Sequence, residues 1–325
     1  FRTNPPMDET TLVKFRHRLN DECLELFLKA TSQIGLDVGL IIKREVENLI
    51  VDTTAQEKNI SYPTDAKLYH GLMKQLRSIA WLFEIKMRRS YLYVSKKLLR
   101  QANVKKKLKE KKKAVRSLKT QLKALLNDIC RKLVKSDCSQ DVIMSFDPVF
   151  KKIEDVLGLH GKEPKKLYSI HEPHVACIVK GKSGKRFEFG NKVSIAVTHK
   201  STFIVGCVSF TGNPHDGKTL NQTIDCAQRI TGKHPRRVFI DNGYQGHNYD
   251  GSAQVYLHKE RNKSGAPSKH YFKRRAAVEP VIGHMKTDCR MDRNFLKGIK
   301  GDTRNAILSA AGYNLSNIVN HLAVK

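Results

Sequence analysis

Residues 46–54, VENLIVDTT, contain the pattern on which the predicted fold depends. The apolar run at 49–51 is typical of a buried strand, and Asp52 follows it directly. The same design recurs in HPRRVFIDNGYQG at 234–246, where VFI precedes Asp241. Ligand sites in open α/β sheets form outside the carboxyl ends of parallel strands. The two aspartates therefore converge at one edge of an α/β sheet if their strands are parallel neighbours.

The stretch YFKRRAAVEPVIGHMK at 271–286 is predicted to be a helix. Its spacing places Arg275, Glu279 and Lys286 on one face, with apolar residues turned toward a core. Pro280 is expected to break one backbone hydrogen bond and to kink this helix. Taken alone, a carboxylate flanked by two cations is also typical of an ordinary surface ion-pair ladder.

The charge of the whole chain predicts a polyanionic partner. Sixty Lys plus Arg stand against 31 Asp plus Glu, a formal charge of +29, and nucleic acid is the default partner of such a chain. No apolar run approaches the roughly 20 residues that span a bilayer, so no membrane partner is expected. The seven cysteines form no CxxC pair, which argues against a zinc site and favours a reducing cytosol.

The beginning of the chain, residues 8–36, is predicted to form two short helices, with Asp8 capping the first. Its first helix is basic. The pair is compatible with a DNA-binding helix pair and equally with simple helical packing. Because the chain opens on Phe1, we expect that an N-terminal segment is missing.

The middle of the chain, from about 66 to 156, has a helical and strongly basic pattern. Between Lys86 and Lys135 there are nineteen Lys or Arg against two acids. Such a run is either a solvated helix face or a surface for DNA phosphates, which would offset the repulsion among the cations. Leucines at 98, 99, 108, 118, 122, 125 and 126 are expected to seam two antiparallel helices. The candidate DNA-binding lysines are Lys105, Lys106, Lys107, Lys111, Lys112 and Lys113.

Beyond a linker at 161–166, the pattern changes to strands at 174–182, 185–199 and 202–212, the first two joined by a KSGK turn. The turn GNPHDGKTL at 212–220 leads into a helix, a strand follows at 253–258, and an amphipathic helix at 302–322 closes the chain. Asp216 lies in that turn beside His215. It is a rival to Asp241 as a metal ligand, although we interpret it as a structural or DNA-facing turn residue.

Three acids stand out from these patterns: Asp52, Asp241 and Glu279. Three converging carboxylates are costly without cations between them, and hard divalent ions such as Mg²⁺ prefer oxygen ligands. Two such ions about 4 Å apart would serve phosphoryl transfer. Spacing alone does not establish this site, because 31 acids give many possible triplets.

Five blocks together resemble an IS5-family insertion-sequence DDE transposase, over nearly the whole chain and in the family's order. They are VDTTAQEKNISYPTD, HEPHVACIVKGKSGKRFEFGNKVSIAVT, GNPHDGKTL, IDNGYQG and RRAAVEPVIGHMK. The family's last block is often written Y-x2-R-x3-E-x6-K, whose spacing Arg275, Glu279 and Lys286 fit. Its aromatic position falls on Phe272, with Tyr271 one residue early, so a tyrosine hydroxyl has no matching position.

The resemblance implies an RNase H-like α/β fold whose mixed sheet, flanked by helices, is interrupted after its first strand by a large basic helical insertion. The implied domains are a partial helical N-terminal region at 1–44, which is a possible DNA-binding element, a discontinuous catalytic domain at 45–62 plus 169–325, and the insertion at 63–168.

The resemblance also implies the chemistry. Asp52, Asp241 and Glu279 would be the Asp-Asp-Glu triad, holding two Mg²⁺ ions per active site, for which Mn²⁺ is expected to substitute. The reaction would cleave DNA at the element's terminal repeats, free a 3′-OH, and transfer that end into a target duplex. Arg275 and Lys286 would contact DNA phosphates and not serve as partners that neutralise Glu279.

The expected setting is a homodimer on DNA in the prokaryotic cytoplasm, associated with the nucleoid. Two other readings remain: a degenerate transposase that only binds DNA, and an RNase H-like nuclease that only hydrolyses it.

Overall fold

The computed structural model describes residues 8–87, 89–135, 139–158, 166–179 and 186–323. The chain divides into two compact units. Unit 1 comprises Phe1–Asn59 and Ala176–Lys325, and unit 2 comprises Ile60–Val175. Unit 1 is therefore discontinuous in sequence, whereas unit 2 is one continuous segment. No helix in the described ranges is long and apolar enough to cross a membrane.

Unit 1 contains a sheet with helices on both of its faces. Its strands are β1 (Asn48–Glu57), β2 (Ala176–Val179), β3 (Phe187–Thr198), β4 (Ile204–Phe210), β5 (Arg237–Ile240) and β6 (Gln254–Leu257). Its first helices are α1 (Glu9–Arg18) and α2 (Asp21–Asp37). Asp8 and Asn20 cap these two helices through their side chains, as Asp and Asn commonly do.

The six strands form one mixed sheet in the order β2-β3-β1-β5-β6, with β4 also paired to β3. β3 runs antiparallel to β1, β2 and β4, whereas β1, β5 and β6 run parallel to one another. β2 and β4 pair with successive parts of β3. This mixed sheet with flanking helices is consistent with the RNase H-like fold that the resemblance implies.

Both faces of the central strands are buried, which explains the unbroken apolar run of β1. Ile50 and Phe239 belong to a core that includes residues of α2 and of the helices at the end of the chain. Leu49 and Val51 point to the other core, together with Leu220 of the helix Asp216–Thr231. Alternation along the strand places Asp52 on the same face as Ile50.

Unit 2 contains the helices α3 (Asp65–Leu82), α4 (Tyr91–Val104), α5 (Leu108–Lys135) and α6 (Gln140–Leu157). It has its own core, to which α3, α5 and α6 contribute. Leu118, Leu122 and Leu125 of α5 are fully buried, as the leucine pattern predicts, whereas Leu108 is 65% exposed. The prediction for Leu108 is wrong because it lies at the first residue of α5, before the buried stripe begins.

The remaining helices belong to unit 1. They are α7 (Asp216–Thr231), α8 (Lys269–Arg274), α9 (Val278–Thr287) and α10 (Gly298–Ala323). α2 packs against α7, α10 and β4, so the beginning of the chain is part of this unit. On α1, however, Leu12 and Phe15 are exposed, and the apolar residues expected to pack there contribute little to the core.

The stretch 271–286 is not the single kinked helix that its spacing predicts. α8 ends at Arg274, a 3₁₀ turn spans Arg275–Ala277, and α9 starts at Val278. Pro280 is then the third residue of α9, in the first turn, where its missing N–H leaves no hydrogen bond unmade. The proline ring would clash with the carbonyl of residue 276 in a continuous α-helix, which accounts for the break just before it.

Several predictions fall on residues outside the described ranges. The KSGK turn at 182–185, most of the 161–166 linker and Cys138 are among them. The domain boundaries predicted from the resemblance, after residues 44, 62 and 168, differ from the divisions after Asn59 and Val175 and stay a proposal about domain function.

Candidate active site

Asp52 and Asp241 lie at matching positions of two parallel neighbouring strands. The register of β1 and β5 pairs Asn48 with Arg237 and Ile50 with Phe239. Carried two residues further, the same register places Asp241 opposite Asp52. Both acids therefore stand at the carboxyl-terminal edge of the sheet, where α/β sheets form their ligand sites.

The carboxylate of Asp52 lies in an unfavourable place for a negative charge. The pKa of Asp52 is raised from the ordinary 3.8 to about 6, chiefly by burial and to a smaller extent by the neighbouring charges of Asp241 and Asp216. The backbone N–H of Thr53, which donates to Asp52 Oδ1 at 2.8 Å, and the Arg275 guanidinium both lower it. A carboxylate such as Asp52, whose burial outweighs its cationic partner, marks a site where an added cation is favourable.

Arg275 lies between the first and the third acid. Its Nη1 is 3.6 Å from Asp52 Oδ2, and its Nη2 is 3.8 Å from Glu279 Oε1. The Arg275 side chain is 13% exposed, whereas that of Glu279 is 69% exposed. Arg275 is thus within ion-pair distance of two carboxylates, and its expected contact with DNA phosphate stays a prediction. Helical spacing alone could not indicate the contact with Asp52, which is distant in sequence.

Glu279 is held near the acid pair by α9, which packs against β1. Val278 and Val281 are buried on either side of it and anchor the first turn of α9 to the core. Among the described residues, however, no group of three or more His, Cys, Asp or Glu is close enough to hold a metal ion. The third acid therefore stands beside the pair, linked to it through Arg275.

Lys286 lies further along α9, and its Nζ is 3.8 Å from Glu188 Oε1 of β3. Both side chains are largely buried, at 18% and 11% exposure. Lys286 lies two turns of α9 beyond Glu279, on the face that the spacing predicts, and the carboxylate next to it is that of Glu188.

Asp216, the rival acid, is the first residue of α7 and has two partners. Its Oδ1 accepts from Thr53 Oγ1 at 2.8 Å and from Lys192 Nζ at 2.7 Å. Lys192 also donates to the carbonyl of Pro214 at 2.6 Å. These contacts tie α7 to β1 and β3 and support the interpretation of Asp216 as a structural residue close to the site. Nothing in the sequence pattern indicated Thr53 or Lys192.

The aromatic residues before the third acid belong to the core. Phe272 is 2% exposed and meets Phe239 edge to face at 5.6 Å between ring centroids, while Tyr271 stacks on Phe239 at 5.4 Å. A tyrosine missed by the sequence analysis, Tyr244, is 1% exposed, and burial together with the charges of Asp52 and Asp216 raises its pKa well above the ordinary value. The position of Tyr244 in the IDNGYQG block, which also contains Asp241, was the feature of the sequence that could have identified it.

The candidate DNA-binding lysines of unit 2 surround the start of α5. Lys105, Lys106 and Lys107 form the exposed connection after α4, and Lys105 pairs with Glu110 at 3.1 Å. Lys112 and Lys113 are exposed, and Lys111 is partly buried. All six lysines lie on one short segment. Their role in DNA binding stays a prediction.

The raised pKa of Asp52 predicts a pH-dependent cost in stability. The folded protein binds a proton at this carboxylate more tightly than the unfolded chain does, so stability from this group falls as the pH rises from about 4 through 6. We expect Asp52→Asn to be more stable than the wild type at pH 7.5 by up to about 3 kcal/mol, with little gain at pH 4. Urea unfolding of both proteins in chelator measures this difference, and an equal difference at the two pH values would contradict it.

Comparisons with known proteins show a family likeness for part of this chain. The family model described as "Transposase DDE domain" matches residues 166–315, which include Asp241 and Glu279 but not Asp52. A protein of Rhizobium meliloti, "Uncharacterized protein ORF8 in nfe locus", is 34% identical over 97 residues. That match covers 30% of this chain and 47% of the relative, so the chain spans about half of that protein's length. No solved structure matches the chain. Residues 166–315 are thus similar to the DDE domain of transposases.

Proposed function

We propose that this protein is a DDE transposase of the IS5 type, which cleaves DNA at the ends of an insertion element and joins the freed 3′-OH to target DNA. The observation that carries the proposal is the register that brings Asp52 and Asp241 to opposite positions at the carboxyl edge of two parallel strands. The match of the transposase domain to residues 166–315 supports the same reaction class.

The donor groups fit a hard divalent cation. Asp52 and Asp241 offer carboxylate oxygens, the ligands that Mg²⁺ prefers, and the raised pKa of Asp52 shows that its negative charge is only partly balanced. Asp52 and Asp241 would hold Mg²⁺ or Mn²⁺, with Glu279 completing the ligand set. Bound as a pair, such ions would activate the attacking oxygen and stabilise the leaving oxygen in phosphoryl transfer.

The cationic residues of the chain would bind the phosphates of the DNA. Arg275 lies within ion-pair distance of Asp52, so it is placed to hold a phosphate of the strand that approaches this acid. Lys286 would hold a further phosphate along α9. The lysines around the start of α5 would bind phosphates of the flanking duplex, and binding should weaken steeply with salt.

The partners follow from this function. We propose that the DNA substrates are the terminal repeats of the element and a target duplex. A homodimer is expected on that DNA, because two ends must be paired before transfer. A protein with this task would work in the prokaryotic cytoplasm, close to the nucleoid.

Strand transfer separates this function from that of a nuclease. With Mg²⁺ and a labelled duplex taken from the DNA that flanks the protein's own coding region, we expect a labelled 3′ end to become joined to a second, unlabelled duplex. Sequencing gels of the products distinguish joined strands from strands that were only released. Release without joining would identify an RNase H-like nuclease, and binding without either product would identify a degenerate transposase.

A further inference from the structure

A cavity of about 820 Å³ opens beside the acid pair in unit 1. Residues after β6 and residues of α8 and the 3₁₀ turn line it. Those used below are His258, Arg261, Lys269, Lys273 and Arg275. Four of these five are permanent cations, and none of the described lining residues is an aspartate or glutamate. A concave site with this balance of charge favours an anionic ligand.

Two nitrogen atoms of the cavity wall lack hydrogen-bond partners. Among the described residues, neither His258 Nδ1 nor Arg275 Nη1 makes a hydrogen bond, although both atoms are buried. Arg275 Nη1 has only the 3.6 Å ion-pair contact with Asp52. Leaving a buried polar group unpaired costs free energy, so each atom favours a ligand that brings an acceptor. A phosphate offers several acceptor oxygens at once.

The cavity is joined to the candidate active site through two contacts. Arg275 lines the cavity and also faces Asp52. On the other side, the backbone N–H of Lys259 donates to Asn242 Oδ1 at 3.0 Å, which ties the segment after β6 to the residue that follows Asp241. A ligand in the cavity therefore lies next to the acid pair.

The volume of the cavity, about 820 Å³, admits only a small ligand. Ligand sites of about 300–1,000 Å³ hold molecules of this size, so the cavity can take a short piece of one strand but not a duplex. A short strand carries several phosphates and can therefore meet more of the four cations in the wall than one inorganic phosphate can.

From these observations, and resting on the proposed function, we propose that the cavity binds the nucleotide next to the phosphodiester that is cut, as an unpaired strand. Arg261, Lys269 and Lys273 would bind its phosphates, and His258 and Arg275 would donate to them. The ligand class is a single-stranded phosphodiester, and free phosphate is the alternative source of the same chemistry.

A trinucleotide of thymidine with a 5′-phosphate tests the proposal, because it is too short to reach distant basic surfaces. Its affinity is measured by titration calorimetry in chelator at about 50 mM salt. We expect Arg261→Gln with Lys273→Gln to weaken binding about tenfold. The control, Lys29→Gln with Lys233→Gln, removes the same charge from exposed sites of unit 1 and should change affinity less than about twofold.

Three outcomes would overturn the proposal: unchanged binding in the cavity variant, equal weakening in the control, or inorganic phosphate binding as tightly as the trinucleotide. Circular dichroism verifies folding, and Lys269→Gln alone provides a second variant with the same expected direction. Magnesium-dependent cleavage by the wild type is measured separately. If the cavity variant loses trinucleotide binding and the wild type shows no cleavage, the cavity stays assigned as a binding site and the transposase function is refuted.

Discussion

Asp241→Asn is expected to abolish Mg²⁺-dependent strand cleavage, by at least about a thousandfold, while DNA binding stays within about twofold of the wild type. The amide keeps the size of the side chain and its hydrogen bond from the N–H of Asn242, which Asp241 Oδ1 accepts at 2.7 Å. It removes the charge that would hold a divalent ion opposite Asp52. Cleavage of an end-labelled duplex and a parallel gel-shift titration measure the two quantities.

Asp216→Ala provides the comparison that separates the two aspartates. Its loss frees Lys192 and Thr53 from a structural contact, so we expect lower stability but retained metal-dependent cleavage. Asp250 is an exposed aspartate, and Asp250→Asn controls for the loss of one charge. Full cleavage by Asp241→Asn, or complete loss of cleavage in Asp216→Ala, would contradict the assignment of Asp241 as the metal ligand.

The second large effect concerns Asp302, a buried acid of α10 that is 1% exposed. It accepts from Lys58 Nζ at 2.6 Å and from Asn294 Nδ2 at 2.6 Å, and Asn191 donates to its other oxygen. Asp302→Ala leaves a buried lysine without this charge and two amides without an acceptor. We expect it to destabilise unit 1 by about 3–5 kcal/mol.

Urea unfolding followed by circular dichroism measures this effect, and we expect a lower midpoint for Asp302→Ala than for the wild type. Fluorescence of Trp81, the one tryptophan of the sequence, is a poor substitute for this measurement because that residue lies in unit 2 and is 77% exposed. Lys263→Ala, which removes an exposed ion pair with Glu260, should change stability by less than about 1 kcal/mol. An unchanged dichroism midpoint in Asp302→Ala would show that the buried pair contributes little.

The carboxyl-terminal ends of β1 and β5 could be predicted from the sequence, because each is marked by a short local pattern of residues. Three apolar residues followed by aspartate occur at 49–52 and again at 238–241, and strands buried on both faces give this unbroken apolar pattern. That the two strands are parallel neighbours was only a condition in the prediction. Pairing between residues almost two hundred positions apart depends on the whole sheet, which no local window contains.

The contacts of the cations could not be predicted in the same way. Helical spacing identified Arg275 and Glu279 as neighbours, but the contact of Arg275 with Asp52 exists only after β1 and α9 pack together. Pro280 illustrates a similar limit. The sequence located the disturbance in the helix, whereas the length of the 3₁₀ turn before it is set by how α8 and α9 reach the core.

The discontinuity of unit 1 has a consequence for synthesis on the ribosome. β1 leaves the ribosome before its partners β3 and β5, which are translated about 130 and 180 residues later, a delay on the order of ten seconds or more at roughly 5–20 residues per second. Unit 2 is translated within that interval and has its own buried core. We expect the nascent chain to fold unit 2 first, while the apolar edge of β1 stays exposed to chaperones and to misplaced strand pairing.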